Sequence, residues 1–292
     1  MEMTGLIDIH VHAAPSIFPR SVTDHQLAQE VQSVGMRGFV LKAHEESTMS
    51  RIKLLQADFP DLALFGSLVL NWFVGGLNPY AVDLALQLGA KIIWMPTGSS
   101  RQHIQYYGGS GYTEQRSTTS LLQQEGISIF DAMGRIRSEL YDILDMVASS
   151  NAVVASGHLS PDETMAFVSA AKERHVEKIL VTHPDLRLNQ IPLSIQVDLA
   201  KQGAYLEKSY LTLLPSWKSI ELPEMVASIR TIGTDHIVLQ TDLGQAGHPT
   251  PAQGYKNFIQ FLLNGGVSEP EIFRMGAQNP ADLLNIAPPL QK

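Results

Sequence analysis

Residues 6–12 of the chain read LIDIHVH, a short apolar stretch that carries two histidines at its end. Short stretches rich in Val and Ile recur along the sequence and alternate with amphipathic segments, which is the pattern of repeated βα units around a parallel sheet. Eight of these stretches predict eight strands, over residues 6–12, 38–43, 63–70, 90–95, 152–157, 178–183, 204–208 and 236–241.

Several segments between the predicted strands begin with residues that cap helices. A Ser or Thr three residues before a Glu or Gln forms a capping box, which predicts helix starts at Thr23, Ser160 and Ser268. Eight strands, each followed by a helix, favour an α/β fold, a (β/α)₈ TIM barrel that forms a single domain over residues 1–292. An open doubly wound sheet usually carries a Gly-rich phosphate loop after its first strand, but that turn reads HAAPSIFPR here.

The composition excludes several classes of site. The 292 residues contain no cysteine, which rules out disulfides, thiolate nucleophiles and cysteine-based zinc sites. A net charge of −8 without any basic run argues against a nucleic-acid surface. The sequence has no signal-like N-terminus and no stretch of about 20 apolar residues, so it predicts a cytoplasmic protein without a membrane partner. A homo-oligomer is compatible with all of these features.

The longest stretch without a predicted element covers residues 98–124, which include GGSGY and several Ser and Thr. Loops of this length in a compact domain are usually functional or disordered, and this one leaves the mouth end of the fourth strand. The sequence therefore predicts a lid or insertion there, and an insertion without a role is the alternative.

Four histidines and one aspartate fall at the ends of predicted strands. Strand alternation places His10 and His12 on one face, about 6.6 Å apart. His158, His183 and Asp242 close the fifth, sixth and eighth strands, whose C-terminal ends meet at the mouth where barrel enzymes place catalytic groups. This convergence predicts a site for a divalent transition metal, with zinc favoured and manganese or iron as alternatives.

The same pattern resembles the amidohydrolase superfamily of metal-dependent barrel hydrolases, in which HxH on strand one is joined by His on strands five and six and Asp on strand eight. Residues 276–286, GAQNPADLLNI, are similar to that superfamily's closing helix. The resemblance implies hydrolysis of a small-molecule amide, lactone, ester or phosphoester by metal-activated water, although some relatives decarboxylate instead. It implies that Asp242 binds metal and takes the proton from water, while His158 and His183 bind metal or polarise the scissile oxygen.

The chain departs from the superfamily at strand four, which ends in WMPT at residues 94–97 without the Lys or Glu that bridges two metals. One ion is therefore favoured over two, and a second would need Lys42 or Glu207 as a ligand. Alternation on strand two points Lys42 and His44 toward the mouth, where a buried Lys needs a partner. We expect Lys42 to be catalytic. Its partner would be a bound anion, a carboxylate such as Glu207, or carbon dioxide, with which the lysine would form a carbamate. A lysine that reaches solvent at the rim is the alternative.

Cationic side chains are predicted to gather near the mouth. Arg20, Arg101, Arg187 and His248 lie on segments that leave the mouth ends of strands, which suits a small-molecule substrate bearing a carboxylate or phosphate. His103 lies on such a segment too, where we expect a surface position for it, with contact to the substrate as the alternative.

Two alternative functions stay open at this point. The polymerase-and-histidinol-phosphatase type of metal phosphoesterase also opens with HxH and has a His at the end of strand two, as His44 is here. That family uses a seven-stranded barrel and a late Asp-x-His, whereas the late motif here is Asp242-Leu243-Gly244. The second alternative is a barrel that binds a metal or small ligand without turnover, because ligand residues do not prove catalysis.

Overall fold

Eight parallel strands form the centre of the computed structural model, which describes residues 1–109 and 125–287. Their order in the sheet is their order in the sequence. The strands are β1 (Ile7–Val11), β2 (Gly38–Leu41), β3 (Ala63–Val69), β4 (Ile92–Trp94), β5 (Val153–Ala155), β6 (Ile179–Val181), β7 (Tyr205–Ser209) and β8 (Ile237–Gln240).

The sheet closes into a barrel between its first and last strands. Just beyond β8, the backbone N–H of Asp242 donates to the carbonyl of His10 at 3.0 Å, and the N–H of His12 donates to the carbonyl of Leu243 at 2.8 Å. Closure satisfies the backbone groups that would otherwise be exposed at two sheet edges. The predicted (β/α)₈ TIM barrel is therefore confirmed, and its eight strands count against the seven-stranded phosphoesterase alternative.

Helices connect and surround the strands. All three predicted capping boxes are present, at Thr23, Ser160 and Ser268. In the described ranges, no helix is both long and apolar enough to cross a lipid bilayer. The helices are α1 (Asp24–Ser33), α2 (Met49–Asp58), α3 (Pro79–Gln87), α4 (Arg101–Tyr107), α5 (Ser138–Ser149), α6 (Pro161–Glu173), α7 (Leu193–Lys201), α8 (Leu222–Ile232), α9 (Pro251–Asn264), α10 (Glu269–Phe273) and α11 (Asn279–Leu284).

Apolar side chains fill the barrel interior below the mouth. The inner layer includes Val40, Ile92 and Leu180 from the strands, and α11 adds Leu283 and Leu284 to it. A barrel of eight strands is just wide enough for such side chains to pack it solid. The polar residues at the C-terminal ends of the strands therefore lie above a layer of packed apolar side chains.

β1 contains a bulge that changes which residues face inward. Asp8 pairs with Phe39 of β2 and Val11 pairs with Leu41, so three steps along β1 match two along β2. One residue of β1 is therefore extra, as in other β-bulges. Simple alternation along the sequence did not predict this irregularity.

The bulge directs His10 of β1 and His12, which follows β1, into the barrel. Ile7 and Ile9 pack in the inner layer, whereas Val11 packs in the outer layer between strands and helices. Without the extra residue, His10 would lie on the face opposite Ile9. Because of the bulge, the side chains of Ile9, His10 and His12 all point into the barrel.

Asp8 secures the bulge. One of its carboxylate oxygens accepts hydrogen bonds from the backbone N–H groups of His10 and Thr241, each at 3.2 Å. The hydroxyl of Thr241 donates to the other oxygen at 2.5 Å. A buried carboxylate thus ties the bulge in β1 to the end of β8, where Asp242 follows.

Candidate metal centre and active site

The predicted site residues of β1, β6 and β8 converge at the mouth. Oδ1 of Asp242 lies 3.1 Å from Nε2 of His10 and 3.1 Å from Nε2 of His12. Nε2 of His183 lies 4.0 Å from the other carboxylate oxygen. The ligand atoms of His10, His12 and Asp242 all lie within 4.8 Å of one another, close enough to bind one cation.

The Nδ1 hydrogen bonds of His10 and His12 direct Nε2 of each ring toward Asp242. Nδ1 of His12 lies 2.8 Å from the carbonyl oxygen of Lys42, which can only accept, so the proton sits on Nδ1. Nδ1 of His10 lies 3.2 and 3.3 Å from the two carboxylate oxygens of Glu207 and donates there. Metal-binding histidines typically donate their other ring N–H to a carboxylate or carbonyl in this way.

Glu207 faces into the barrel and supports the ligands from behind. Its carboxylate also accepts from the backbone N–H of His183 at 2.9 Å and from the side-chain amide of Gln240 at 3.0 Å. These contacts make Glu207 a hydrogen-bond partner of His10 and His183.

The electrostatic field at the centre favours a cation. Burial opposes the charge of Asp242, but His10, His12 and His183 outweigh burial and hold the pKa of Asp242 well below its ordinary value. Burial likewise opposes a charge on His10, yet Asp242 and Glu207 more than offset it and raise the pKa of His10. The carboxylate of Asp242 is therefore ionised and can bind a cation at neutral pH.

His183 contributes a neutral imidazole with an open nitrogen. Its Nδ1 is buried and has no hydrogen-bond partner within the described part of the chain. A buried polar atom without a partner lowers stability unless a ligand supplies the missing interaction. Burial lowers the pKa of His183 to about 4, so the ring is in the neutral form that metals bind. Both His183 and Asp242 have positive φ, 25° and 53°, a strained backbone that is common at functional sites.

Lys42 is buried beside the proposed ligands, with only 1% of its surface exposed. Its Nζ lies 2.9 Å from Nε2 of His10 and 4.2 Å from the ring centroid of Trp94. Burial lowers the pKa of Lys42 to about 8, although Asp242 partly offsets this effect. The alternative of a lysine that reaches solvent at the rim is wrong.

Trp94 fills the inward position at the end of β4. Its ring centroid lies 4.8 Å from that of His10. No carboxylate or lysine from β4 reaches the centre, in agreement with the departure from the superfamily pattern noted in the sequence.

His44 is held by a network that the sequence analysis missed. Its Nδ1 lies 2.9 Å from the hydroxyl of Thr97, and its ring stacks on His12 with 4.8 Å between centroids. The Asn71 amide oxygen accepts from the backbone N–H of Thr97, so its nitrogen must donate to the Thr97 hydroxyl and to the carbonyl of His44. Burial lowers the pKa of His44 well below its ordinary value, so His44 is neutral. Asn71 lies two residues beyond the end of β3, a position that could have suggested its role.

His103 is buried against His158, which corrects the expected surface position. The Nδ1 atoms of the two rings lie 3.0 Å apart, and the rings stack with 5.1 Å between centroids. Ser100 caps α4 by accepting from the N–H of His103 at 3.0 Å, and donates its hydroxyl to the carbonyl of His158 at 2.8 Å. Residues 101–107 of the predicted lid or insertion form helix α4, while residues 110–124 lie outside the described residues.

A cavity of about 220 Å³ opens onto these residues. Lys42, His44, His158 and Asp242 reach it from the strand ends. The surrounding loops add apolar and aromatic walls, which are Phe18, Tyr107, Leu186, Leu188, Leu211 and Trp217.

Two of the four cationic residues expected near a substrate line this cavity. Arg20 and His248 do so, and Nε2 of His248 lies 2.9 Å from the hydroxyl of Ser216. Arg101 instead pairs with Glu163 at 3.3 Å, and Arg187 is exposed outside the cavity. Neither Arg101 nor Arg187 is among the described residues that line the cavity, so the structure does not support a substrate contact for them.

The sequence matches a family model described as "Family of unknown function (DUF6282)" over residues 5–207. None of the curated proteins matches it.

Solved structures with the same barrel were found at low sequence identity. A protein assigned as 2-pyrone-4,6-dicarboxylic acid hydrolase from Pseudomonas putida is 13% identical with a TM-score of 0.62, and 98% of each chain is covered. The organophosphorus hydrolase from Deinococcus radiodurans is 11% identical with a TM-score of 0.61, covering 97% of this chain and 93% of the other. A 2,6-dihydroxybenzoate decarboxylase is 11% identical with a TM-score of 0.59, covering 98% of this chain and 99% of the other.

These structures belong to the amidohydrolase superfamily, so the resemblance noted in the sequence is confirmed at the level of the fold. The family match covers more than half of the chain. The protein therefore belongs to the DUF6282 family, and it has the barrel fold of amidohydrolase-superfamily enzymes.

Proposed function

We propose that this protein is a metal-dependent hydrolase that acts on a small-molecule amide, lactone, ester or phosphoester. The observation that carries the proposal is the meeting of His10, His12 and Asp242, with Nε2 of both histidines directed toward Asp242 by their Nδ1 hydrogen bonds. A nitrogen-rich set of this kind suits zinc, and next manganese or iron, better than calcium or magnesium.

The residues that would hold the ion are His10, His12, Asp242 and His183. The ring of His183 is neutral, and its Nδ1 makes no hydrogen bond to the described residues, so the ring can rotate toward the centre. A divalent ion held there would polarise the scissile group and make water a stronger acid at neutral pH. His158 is the further ligand candidate.

Asp242 is the proton acceptor in this proposal. It is ionised, and while one oxygen faces His10 and His12, the other can accept a proton from water and return it to the leaving group. His158 reaches the cavity with Nδ1 held by His103, so Nε2 is the atom that it presents to a substrate or metal. Lys42 adds a positive charge beside the reacting group.

The test compares full-length protein as purified, stripped of metal and reconstituted with zinc, manganese or iron. We expect roughly one equivalent of transition metal, and turnover of at least one substrate in a panel of esters, lactones, amides and phosphoesters that disappears on stripping and returns on reconstitution. Less than roughly a tenth of an equivalent of metal after growth in supplemented medium would refute the proposal. Metal binding without turnover of any panel member would favour the non-catalytic alternative.

A further inference from the structure

We propose that the cavity above the centre binds an anionic group, a carboxylate or phosphate, through Arg20, and seats an apolar ring of the same ligand against its leucine and tryptophan wall. The inference that this ligand is the substrate rests on the proposed function, whereas the binding itself does not. The substrate class is then a small ring compound that carries one anionic group.

The charges around the cavity favour an anion. Among the described residues that line it, Asp242 is the one acidic side chain, and it already faces His10 and His12. Arg20 is permanently charged, and its guanidinium fork matches the geometry of carboxylate and phosphate oxygens. The neutral histidines that line the same cavity add hydrogen-bonding groups.

The backbone on both sides of Arg20 is fixed in place. Arg20 pairs with Gln245 in an antiparallel bridge between the loops that follow β1 and β8. The N–H of Ser21 donates to the carbonyl of Gly244 at 2.8 Å, and the N–H of Ala246 donates to the carbonyl of Pro19 at 3.1 Å. A side chain whose backbone is held by hydrogen bonds loses less conformational entropy on binding than a side chain on an open loop.

Gly244 lets this pairing form close to the metal centre. A Cβ on Gly244 would lie 1.9 Å from the carbonyl oxygen of His12, and its φ of 132° is one that glycine alone adopts readily. The loop that pairs with Arg20 therefore passes directly over the backbone of a proposed ligand.

Arg20 also lies at the same cavity as the residues of the candidate centre. It lines this cavity together with Lys42 and Asp242. Its guanidinium carbon lies 5.6 Å from the ring centroid of Phe18, which limits where the group can turn. An anion bound by Arg20 would thus lie in the cavity that Lys42 and Asp242 also line.

The apolar wall and the volume define the rest of the ligand. Leu186 and Leu188 after β6, together with Leu211 and Trp217 after β7, contribute apolar surface to the cavity. Its volume of about 220 Å³ is below the roughly 300–1,000 Å³ typical of sites for drug-sized ligands. One small ring with a short anionic substituent fits these limits.

The experiment measures binding of benzoate, phenylphosphonate and neutral benzamide to full-length protein by calorimetry, in metal-free and zinc-loaded forms at constant ionic strength. We expect at least one anion to bind about tenfold more tightly than benzamide, and the tighter anion identifies the group as carboxylate-like or phosphate-like. Arg20→Gln should remove about tenfold of that affinity and leave benzamide unchanged, and Arg20→Lys should retain part of it.

Arg187→Gln is the matched control, because Arg187 is an exposed arginine on the loop after β6 that does not line the cavity. It should leave all three affinities unchanged, and melting curves should show that each variant is folded. Equal binding of benzamide and both anions, or equal effects of Arg20→Gln and Arg187→Gln, would overturn the proposal. Arg20-dependent binding without any turnover in the substrate panel would overturn the hydrolase function alone.

Discussion

Nδ1 of His103 lies 3.0 Å from Nδ1 of His158, with the two rings almost parallel at 15°. Two nitrogens at this distance need one proton between them, so the tautomer of each ring depends on the other. Through this bond, helix α4 sets which atom of His158 faces the cavity. The ring of Tyr107 covers the other side of His103 at 4.7 Å between centroids.

We predict that His103→Phe lowers kcat by about 10- to 100-fold, the usual effect of removing a group that orients a ligand or catalytic residue. Phenylalanine keeps the ring packed between His158 and Tyr107 but cannot exchange a proton, so Tm should change little. His103→Gln, which keeps a polar partner, should recover part of the rate. Tyr106→Phe on the exposed side of the same helix is the control, and a wild-type rate in His103→Phe would show that the bond has no catalytic role.

Asp242→Asn should lower kcat by at least about 100-fold, because an amide cannot take a proton from water. The size of the side chain is nearly unchanged, so the fold should persist. Metal content and Tm must be measured alongside, since Asp242 is also a proposed ligand. Asp198→Asn on the surface of α7 is the matched control, and a near wild-type rate in Asp242→Asn would exclude its role as the base.

Glu207→Gln should weaken metal affinity by about 10- to 100-fold, because the amide orients His10 and His183 without the negative charge that strengthens His10 as a ligand. Competition with a chromophoric chelator measures the affinity directly. The exposed Glu173→Gln on α6 should leave the affinity unchanged. Equal affinities of Glu207→Gln and wild type would mean that Glu207 is structural only.

Lys42→Met should impair activity far more than stability, since methionine preserves the stem packed against Trp94 and removes the charged tip. Carboxylation of Lys42 would appear as lower metal content in the variant and as faster reconstitution of wild-type apoprotein with bicarbonate. Contact with a substrate anion would appear as a higher KM at unchanged metal content. Unchanged metal content, KM and kcat would remove Lys42 from the site.

A pH-dependent contribution to stability is expected far from the site, at the start of α10. The hydroxyl of Ser268 donates to the carboxylate of Glu271 at 2.7 Å, and the backbone N–H of Ser268 donates to it as well. Together with the ion pair to Arg230, these bonds lower the pKa of Glu271 from 4.5 to about 2. A carboxyl with a lowered pKa stabilises the fold above its unfolded pKa and loses that effect as the pH falls. Glu271→Gln should therefore lower the free energy of unfolding by about 0.5 kcal/mol at pH 7, because the pair is largely exposed.

The same measurement repeated at decreasing pH tests the sign of this effect. The difference between Glu271→Gln and wild type should shrink as the pH falls from 4.5 through about 2, because Glu271 becomes neutral in the folded state only below its lowered pKa. A difference that is constant over this range would mean that the carboxylate charge contributes nothing to the cap.

The sequence by itself determined the barrel and the identity of the mouth residues. Eight apolar stretches at βα spacing, each followed by an amphipathic segment, allow few other folds, because a parallel sheet needs both faces covered. The ends of parallel strands meet at one mouth, so residues such as His183 and Asp242 could be grouped before any distance was known.

The tertiary structure decided which side chains actually meet. The bulge in β1, the burial of His103 and the inward direction of Glu207 depend on packing between segments far apart in the chain, which local periodicity cannot express. The same holds for the arginines: Arg20 lines the cavity because its backbone pairs with the loop after β8, whereas Arg101 turns to Glu163. Strand alternation predicts a face, but only the pairing of distant loops fixes a side chain's contacts.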